Sequence, residues 1–385
     1  MTPFTGPTER ELADAVRDFA RGLEPRIADA EERGEFPRDL IGELASLGVL
    51  GLTVPEADGG LGASSVAFAL VLEELAAVWP SLAVGVSVNS GIVAGTVVRL
   101  GTPEQRARLL PQLMDGRGLG GFCLTEPSSG SDAASLRSVA RRDGAGWRIS
   151  GEKLFVTNAR YAPFLIVLAR VGEAEPGRPH AGITAFAVPA DAPGVTIGKA
   201  EKKTGLLASE TCTVTFADAR VGADAVIGPE GKAFGQVAMA GLDAGRIGIA
   251  AQAVGIARGA LDRAAAYALE RRQFGRPIAS FQALRCSLAE ARTELEAARL
   301  LTLRAAARKD AGLPFARDAS QAKLYASEMA NRVTYAAVQT FGGYGYMREF
   351  GVERYARDAR ATSIYEGTSE VQRMVIARSL LAEAA

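Results

Sequence analysis

The chain has 385 residues, with 44 Lys and Arg balanced by 44 Asp and Glu and only one histidine. The length predicts two or three domains, and the lack of a basic excess excludes a nucleic-acid footprint. With His180 alone and no CxxC among the three cysteines, His- or Cys-based zinc sites are excluded, which leaves any catalytic base to Glu, Asp, Lys or Tyr.

The N-terminal stretch MTPFTGPTERELADAVRDF is acid-rich and lacks an apolar signal core. No run approaches 18 uninterrupted apolar residues, so neither a targeting segment nor a membrane span is expected. Cys123, Cys212 and Cys286 are far apart and odd in number, which fits a reducing compartment, most simply the cytoplasm. Helical patterning covers roughly 8–30, 37–47 and 64–79. Thr102, Pro103 and Gln105 form a helix start, with Thr as N-cap, Pro at the first helical position and Gln closing a capping box; the helix stops near Gly116. From 119 to about 225 the period becomes two: Cys212, Val214 and Phe216 alternate with threonines, and 164–171 and 183–188 are β-prone runs. Asp143-Gly144 predicts a hairpin turn. After a linker at 227–235, apolar stripes at Leu288, Ala291, Leu295, Ala298, Thr302 and Ala305, then at Ala322, Ala326, Met329, Val333 and Ala337, predict long amphipathic helices in an antiparallel bundle. The expected domains are α-helical at 1–117, β at 118–226 and α-helical at 227–385.

Several segments admit both a structural and a functional reading. GRGLGG at 116–121 matches GxGxxG, but a helix precedes it and β structure follows, which favours a helix end and linker. FCLTEPSSGSD at 122–132 gathers hydroxyls and backbone donors suited to a ring edge or a phosphate, or is a polar turn. In KLFVTN at 153–158, Phe155 and Thr157 share a strand face and could stack on and bond a ring, or Phe155 is a core aromatic. Arg271 and Arg272 in ERRQFGRP suit a pyrophosphate or a helix C-terminus. QTFGGYGY at 339–346 is a C-cap or a close backbone approach to a ligand. In IYEGTSEVQ at 364–372, Glu366 is a solvated loop charge or a placed carboxylate.

These segments occur in one order that resembles the acyl-CoA dehydrogenases: LTEPSSGSDAASL, KLFVTN, LDAGRIGIAAQAVGIARGALD, ERRQFGRPIASFQ, QTFGGYGYMREFGVERYARDAR and IYEGTSEVQRMVIAR. The similarity spans the chain and implies an α+β multidomain fold: an α-helical N-terminal domain, a middle β-barrel domain and a C-terminal four-helix bundle. It implies FAD-dependent desaturation of an acyl-CoA thioester to the trans-2-enoyl-CoA, with Glu366 removing the α-proton as hydride leaves the β carbon for flavin N5. By resemblance, Phe122, Leu124 and Thr125 run along the flavin, and Ser131 lies near the pyrophosphate and the CoA ester. Phe155, Val156 and Thr157 match a segment whose aromatic flanks the flavin and whose threonine bonds near N5; many relatives carry Trp where this chain has Phe155. Arg271, Phe274, Gln282, Gln339, Gly342 and Gly343 match residues reaching the FAD of a neighbouring subunit, and Thr368 and Glu370 match the final FAD contacts. Asp243, Arg246 and Gly367 match positions near the acyl-CoA. SSGSD replaces the common GAGSD, and GLLAS lacks the arginine of GIRAS.

The resemblance also implies a homotetramer built as a dimer of dimers, electron transfer to an electron-transferring flavoprotein, and no metal, nucleic-acid or membrane partner. Some branches of the family carry the base on the LDAGR helix, where this chain has Gly245. An acyl-CoA oxidase, a decarboxylating member and a non-catalytic helical scaffold are the competing readings. GGYGY and IYEGTSE look most like short- and branched-chain members.

Overall fold

The computed structural model describes residues 4–173 and 175–384; the first three residues of the expected N-terminal domain and the last residue of the C-terminal one lie outside the described residues. The chain opens with α1 (Pro7–Gly22), α2 (Glu24–Arg33), α3 (Asp39–Ser46) and α4 (Ser65–Val78). The pattern over 8–30 is thus two helices, because Pro25 sits in the first turn of α2, where its missing N–H removes no helical bond. Helix α4 starts at Ser64, whose hydroxyl accepts from the Ala67 N–H (3.0 Å), and a distant carboxylate, Asp310, accepts from Ser65 and Val66 N–H at 2.7 and 3.1 Å.

The next segment escaped the sequence reading. Pro80–Leu100 is one continuous helix: α5 (Pro80–Val86), a π-helical stretch (Ser87–Ala94) and α6 (Gly95–Leu100). Among the described residues it is the one helix apolar and long enough to cross a membrane by composition, with mean hydropathy 1.6, and 83% of that window is buried inside the fold. Apart from its last turn it is buried almost all round, so it has no polar outer face to mark an amphipathic stripe. The predicted capping box then appears intact at the start of α7 (Pro103–Met114): Thr102 Oγ accepts from Gln105 N–H at 3.2 Å, and Gln105 Oε1 accepts from Thr102 N–H at 2.9 Å. GRGLGG follows α7 and leads into a strand, as a helix end and linker should.

Strands β1 (Gly121–Cys123), β2 (Val139–Asp143), β3 (Gly146–Thr157), β4 (Phe164–Val171), β5 (Ile183–Pro189), β6 (Val195–Ala200), β7 (Thr211–Val221) and β8 (Val226–Ile227) form one mixed sheet. Its order is β6-β7-β3-β2-β4-β5-β8, with β1 parallel to β4. The β2–β3 hairpin turns where predicted: Asp143 pairs with Gly146, and Gly144 takes φ 61°. Trp147 of β3 meets Phe186 of β5 with 5.3 Å between ring centroids, although β2 and β4 separate the two strands in the sheet. The sheet therefore curls around its own core, which also takes in Cys212, Val214 and Phe216 of β7.

A π-helical turn (Phe234–Met239) leads into α8 (Ala240–Glu270); the hairpin β9 (Arg272–Gln273) and β10 (Arg276–Pro277) precedes α9 (Gln282–Asp310), α10 (Ala316–Phe341), α11 (Val352–Thr362) and α12 (Ser369–Glu383). The predicted stripes of α9 and α10 face inward, with Leu288 alone half-buried. Helix α8 lies at the centre, between α10 and the N-terminal α4. A Cβ on Gly259 would sit 2.0 Å from the Ala77 carbonyl, so α8 and α4 pack backbone to backbone. Beside that seam, buried Glu73 and Glu74 meet Arg258 and Arg299 of the C-terminal helices, joining the two helical domains.

Candidate active site

Glu366 stands in the short connection between α11 and α12 with φ 55°, an unusual backbone setting for a residue with a side chain. The residue is only half-buried overall, yet its Oε2 atom is sealed and has no hydrogen-bond partner among the described residues. Burial pushes the carboxyl up to about 7, against the opposing pull of Arg246 and Lys323. The connection is held from behind. The Gly367 carbonyl accepts from Lys323 Nζ (2.7 Å) and from Gln372 Nε2 (2.8 Å), and Gln372 also donates to the Glu366 carbonyl (3.2 Å). Thr368 caps α12 by accepting from the Val371 N–H at 3.4 Å. Tyr365 donates its hydroxyl to Gln252 of α8 at 2.6 Å.

The opposite wall is the start of α8. A Cβ built on Gly245 would lie 2.4 Å from Glu366 Oε2, so the carboxyl end occupies the space that the missing side chain leaves. One residue on, Arg246 is 4% exposed; it pairs with Asp243 and donates to Ser320 Oγ at 3.3 Å, while its Nε has no partner among the described residues. Burial also raises the Asp243 carboxyl, opposed by Arg246 and Arg378.

A second group forms around β1 and β3. Phe122 and Leu124 belong to the same apolar cluster as Met239 and Leu242, which lie just ahead of Asp243 in the chain. Lys153, wholly buried in β3, donates to the Leu124 carbonyl (3.1 Å) and pairs with buried Glu126 (2.8 Å); the Leu154 N–H donates to the Thr125 carbonyl (2.8 Å). These bonds lock LTEP against KLFVT. Phe155 is not a core aromatic. It is 63% exposed with φ 57°, and a bulge between Lys153 and Val156 replaces the plain strand alternation expected there. Thr157 is half-buried, Val156 is buried and Ser131 is exposed.

A third group lines a cavity of about 430 Å³ beyond the end of α8: Arg271, Gly342 and Gly343 with Tyr267, Phe341 and Tyr344. Tyr267 and Phe341 stack at 4.1 Å, and Arg271 lies over the Tyr344 ring. A Cβ on Gly342 or Gly343 would meet nothing, so the glycines leave open space. Phe274, Gln282, Gln339 and Glu370 are exposed and do not line this cavity.

Family models describing the N-terminal, middle and C-terminal domains of acyl-CoA dehydrogenases match residues 6–117, 121–219 and 235–381. This chain belongs to the acyl-CoA dehydrogenase family. It is 42% identical over 375 residues to the mitochondrial short-chain specific acyl-CoA dehydrogenase of Bos taurus, across 97% of this chain and 90% of that protein. Its fold matches butyryl-CoA dehydrogenase from Megasphaera elsdenii with TM-score 0.95 and 40% identity, over 99% of this chain and 100% of the other. It matches equally well, at TM-score 0.95 and 38% identity over 99% and 100% of the two chains, a chain from work on the electron-transferring flavoprotein of Acidaminococcus fermentans and flavin-based electron bifurcation. Within this acyl-CoA dehydrogenase, sequence reasoning missed Lys323, Gln372, Glu126 and Lys153. Lys153 lies in a quoted motif, but nothing local marks a lysine as buried. Lys323 lies in a helical stripe beside Ala322, where a charge reads as solvent-facing.

Proposed function

We propose that this enzyme desaturates a short acyl-CoA thioester, with Glu366 as the base that removes the α-proton. The observation that carries the reading is the sealed, unpartnered Glu366 Oε2 against Gly245, with a carboxyl raised to about 7. A base for a weak carbon acid works best when its pKa approaches the working pH, and desolvation supplies that here. The Glu366 N–H has no acceptor among the described residues, which leaves it free to bond a thioester oxygen and polarise the α carbon. Arg246, buried beside Asp243, adds positive field on the same side.

The residues fit FAD. Arg271 with the open glycines of the 430 Å³ cavity offers a cation and backbone approach for a pyrophosphate, and the exposed ring of Phe155 offers a platform for a flat ring system. Phe122, Leu124, Thr125, Ser131, Phe155, Val156, Thr157, Thr368 and Glu370 are assigned to one FAD, and Arg271, Phe274, Gln282, Gln339, Gly342 and Gly343 to that of a neighbouring subunit. When bound, FAD supplies the hydride acceptor. The exposed apolar side chains of Phe274, Tyr346 and Leu381 support a homotetramer that covers them. The short-chain and butyryl-CoA relatives support a short acyl substrate, and the electron-transferring flavoprotein study supports such a flavoprotein as acceptor. Three free cysteines support a cytoplasmic setting. We divide the chain into domains at 117 and 226.

Anaerobic stopped-flow reduction of the bound flavin by butyryl-CoA tests the base. Glu366→Gln should slow reduction by at least ~10²-fold while leaving the protein yellow. Reduction within tenfold of the parent rate would move the assignment to Asp243.

A further inference from the structure

Lys323 is 0% exposed, an expensive setting for an ammonium group. Its Nζ bonds the Gly367 carbonyl and has no carboxylate within ion-pairing distance among the described residues. The carbonyl bond alone does not explain a charge there, because Gln372 already donates to both Gly367 and Glu366 carbonyls. A neutral side chain would leave the connection bonded. Burial lowers Lys323 to about 8, and the first charge opposing that shift is Glu366.

The surrounding charges point the same way. The charges of Arg246 on α8 and Lys323 on α10 both favour the ionised Glu366 carboxyl. Arg246 is compensated by Asp243, which also faces Arg378 of α12. Glu328 on α10 and Glu370 on α12 act on Lys323 more weakly than Glu366 does, and Asp358 of α11 acts on the neighbouring Tyr365. Glu328 has its own partners, Ser369 and Arg373. Lys323 is therefore the uncompensated cation behind the base.

We propose that Lys323 is a positioning residue for the reaction: its ammonium, sealed beneath the Glu366–Gly367 connection, holds the Glu366 carboxyl in its ionised, proton-accepting form. The proposal rests on the reading of Glu366 as base. Charge, rather than bulk or hydrogen bonding, is the property that matters. Without it the carboxyl keeps its desolvation and loses its cation, so it ionises at higher pH.

The test is the pH profile of anaerobic flavin reduction by butyryl-CoA in holoenzyme carrying Lys323→Met or Lys323→Gln. Met keeps the length, and Gln keeps a donor without the charge. Both variants should move the rising limb of the profile upward by about one unit, the scale of one partly screened charge. At pH 7 the rate should then be about fivefold lower, with the parent rate regained near pH 9. FAD content and melting temperature, measured alongside, report a merely structural role. An unshifted profile in either variant overturns the proposal, whether the rate is unchanged or lowered equally at every pH. Glu366→Gln, run in parallel, separates the two readings: if it still reduces its flavin at the parent rate, the base assignment fails on its own account.

Discussion

At the residue scale the site is a carboxyl fitted against a backbone. Gly245 leaves the room, and Glu366 Oε2 fills it. Gly245→Ala should push the carboxyl aside and slow flavin reduction by at least about tenfold with FAD retained, since misplacing a reacting group by an ångström can cost far more. Parent-like kinetics in that variant would show the carboxyl to be mobile instead. The raised pKa sets two pH effects. Only the ionised carboxylate accepts a proton, so the reduction rate should climb as pH rises through about 7. Stability runs the other way. A carboxyl raised in the folded state binds its proton more tightly there than in the unfolded chain, so its contribution is fully present at low pH and is lost as pH rises from the ordinary carboxylate range through about 7. Glu366→Gln should therefore be more stable than the parent at pH 8, on the order of 1–3 kcal/mol, with the gain gone near pH 4. Urea unfolding at the two pH values measures it. The resemblance in IYEGTSEVQ pointed to Glu366 as the candidate base. Its sealed oxygen was not legible there, because desolvation sums atoms from α8, α10 and the α11–α12 connection.

At the element scale, the segment that follows β1 is pinned to β3 by the buried pair Lys153–Glu126. The Arg137 and Ser138 N–H groups also donate to Glu126, so this carboxylate ties LTEP to the start of β2. Lys153→Met strands the Glu126 charge in the interior and should cost about 3–5 kcal/mol, read by chemical denaturation. Adding Glu126→Gln should restore part of that loss; an unchanged denaturation midpoint in Lys153→Met would mean that the pair does not hold the segment. Elements governed by local rules were readable: the Thr102 capping box, the hairpin at Gly144 and the alternation in β7. The bulge at Phe155 was not, because two paired strands must be compared to see that one carries an extra residue. Nor was the helix Pro80–Leu100, whose apolar residues face protein on every side.

At the scale of the whole molecule, the exposed apolar surface of one chain bears on assembly and cofactor together. Phe274 is 92% exposed on the β9–β10 hairpin, next to the Arg271 cavity. Phe274→Asp should shift sedimentation toward smaller species and lower FAD retention in the same preparation; loss of neither would remove the hairpin from the interface. The sequence by itself determined the α–β–α order, the helix starts and the turn, because periodicity, caps and φ preferences act over a few residues. It also determined the family, because long motifs recur in one order. Only the tertiary structure decided that Gly245 and Glu366 share one space, that Lys323 lies beneath Gly367, and that Phe155 faces outward. Those facts depend on segments far apart in the chain meeting in the fold, and burial and charge act through that proximity, which no local pattern encodes.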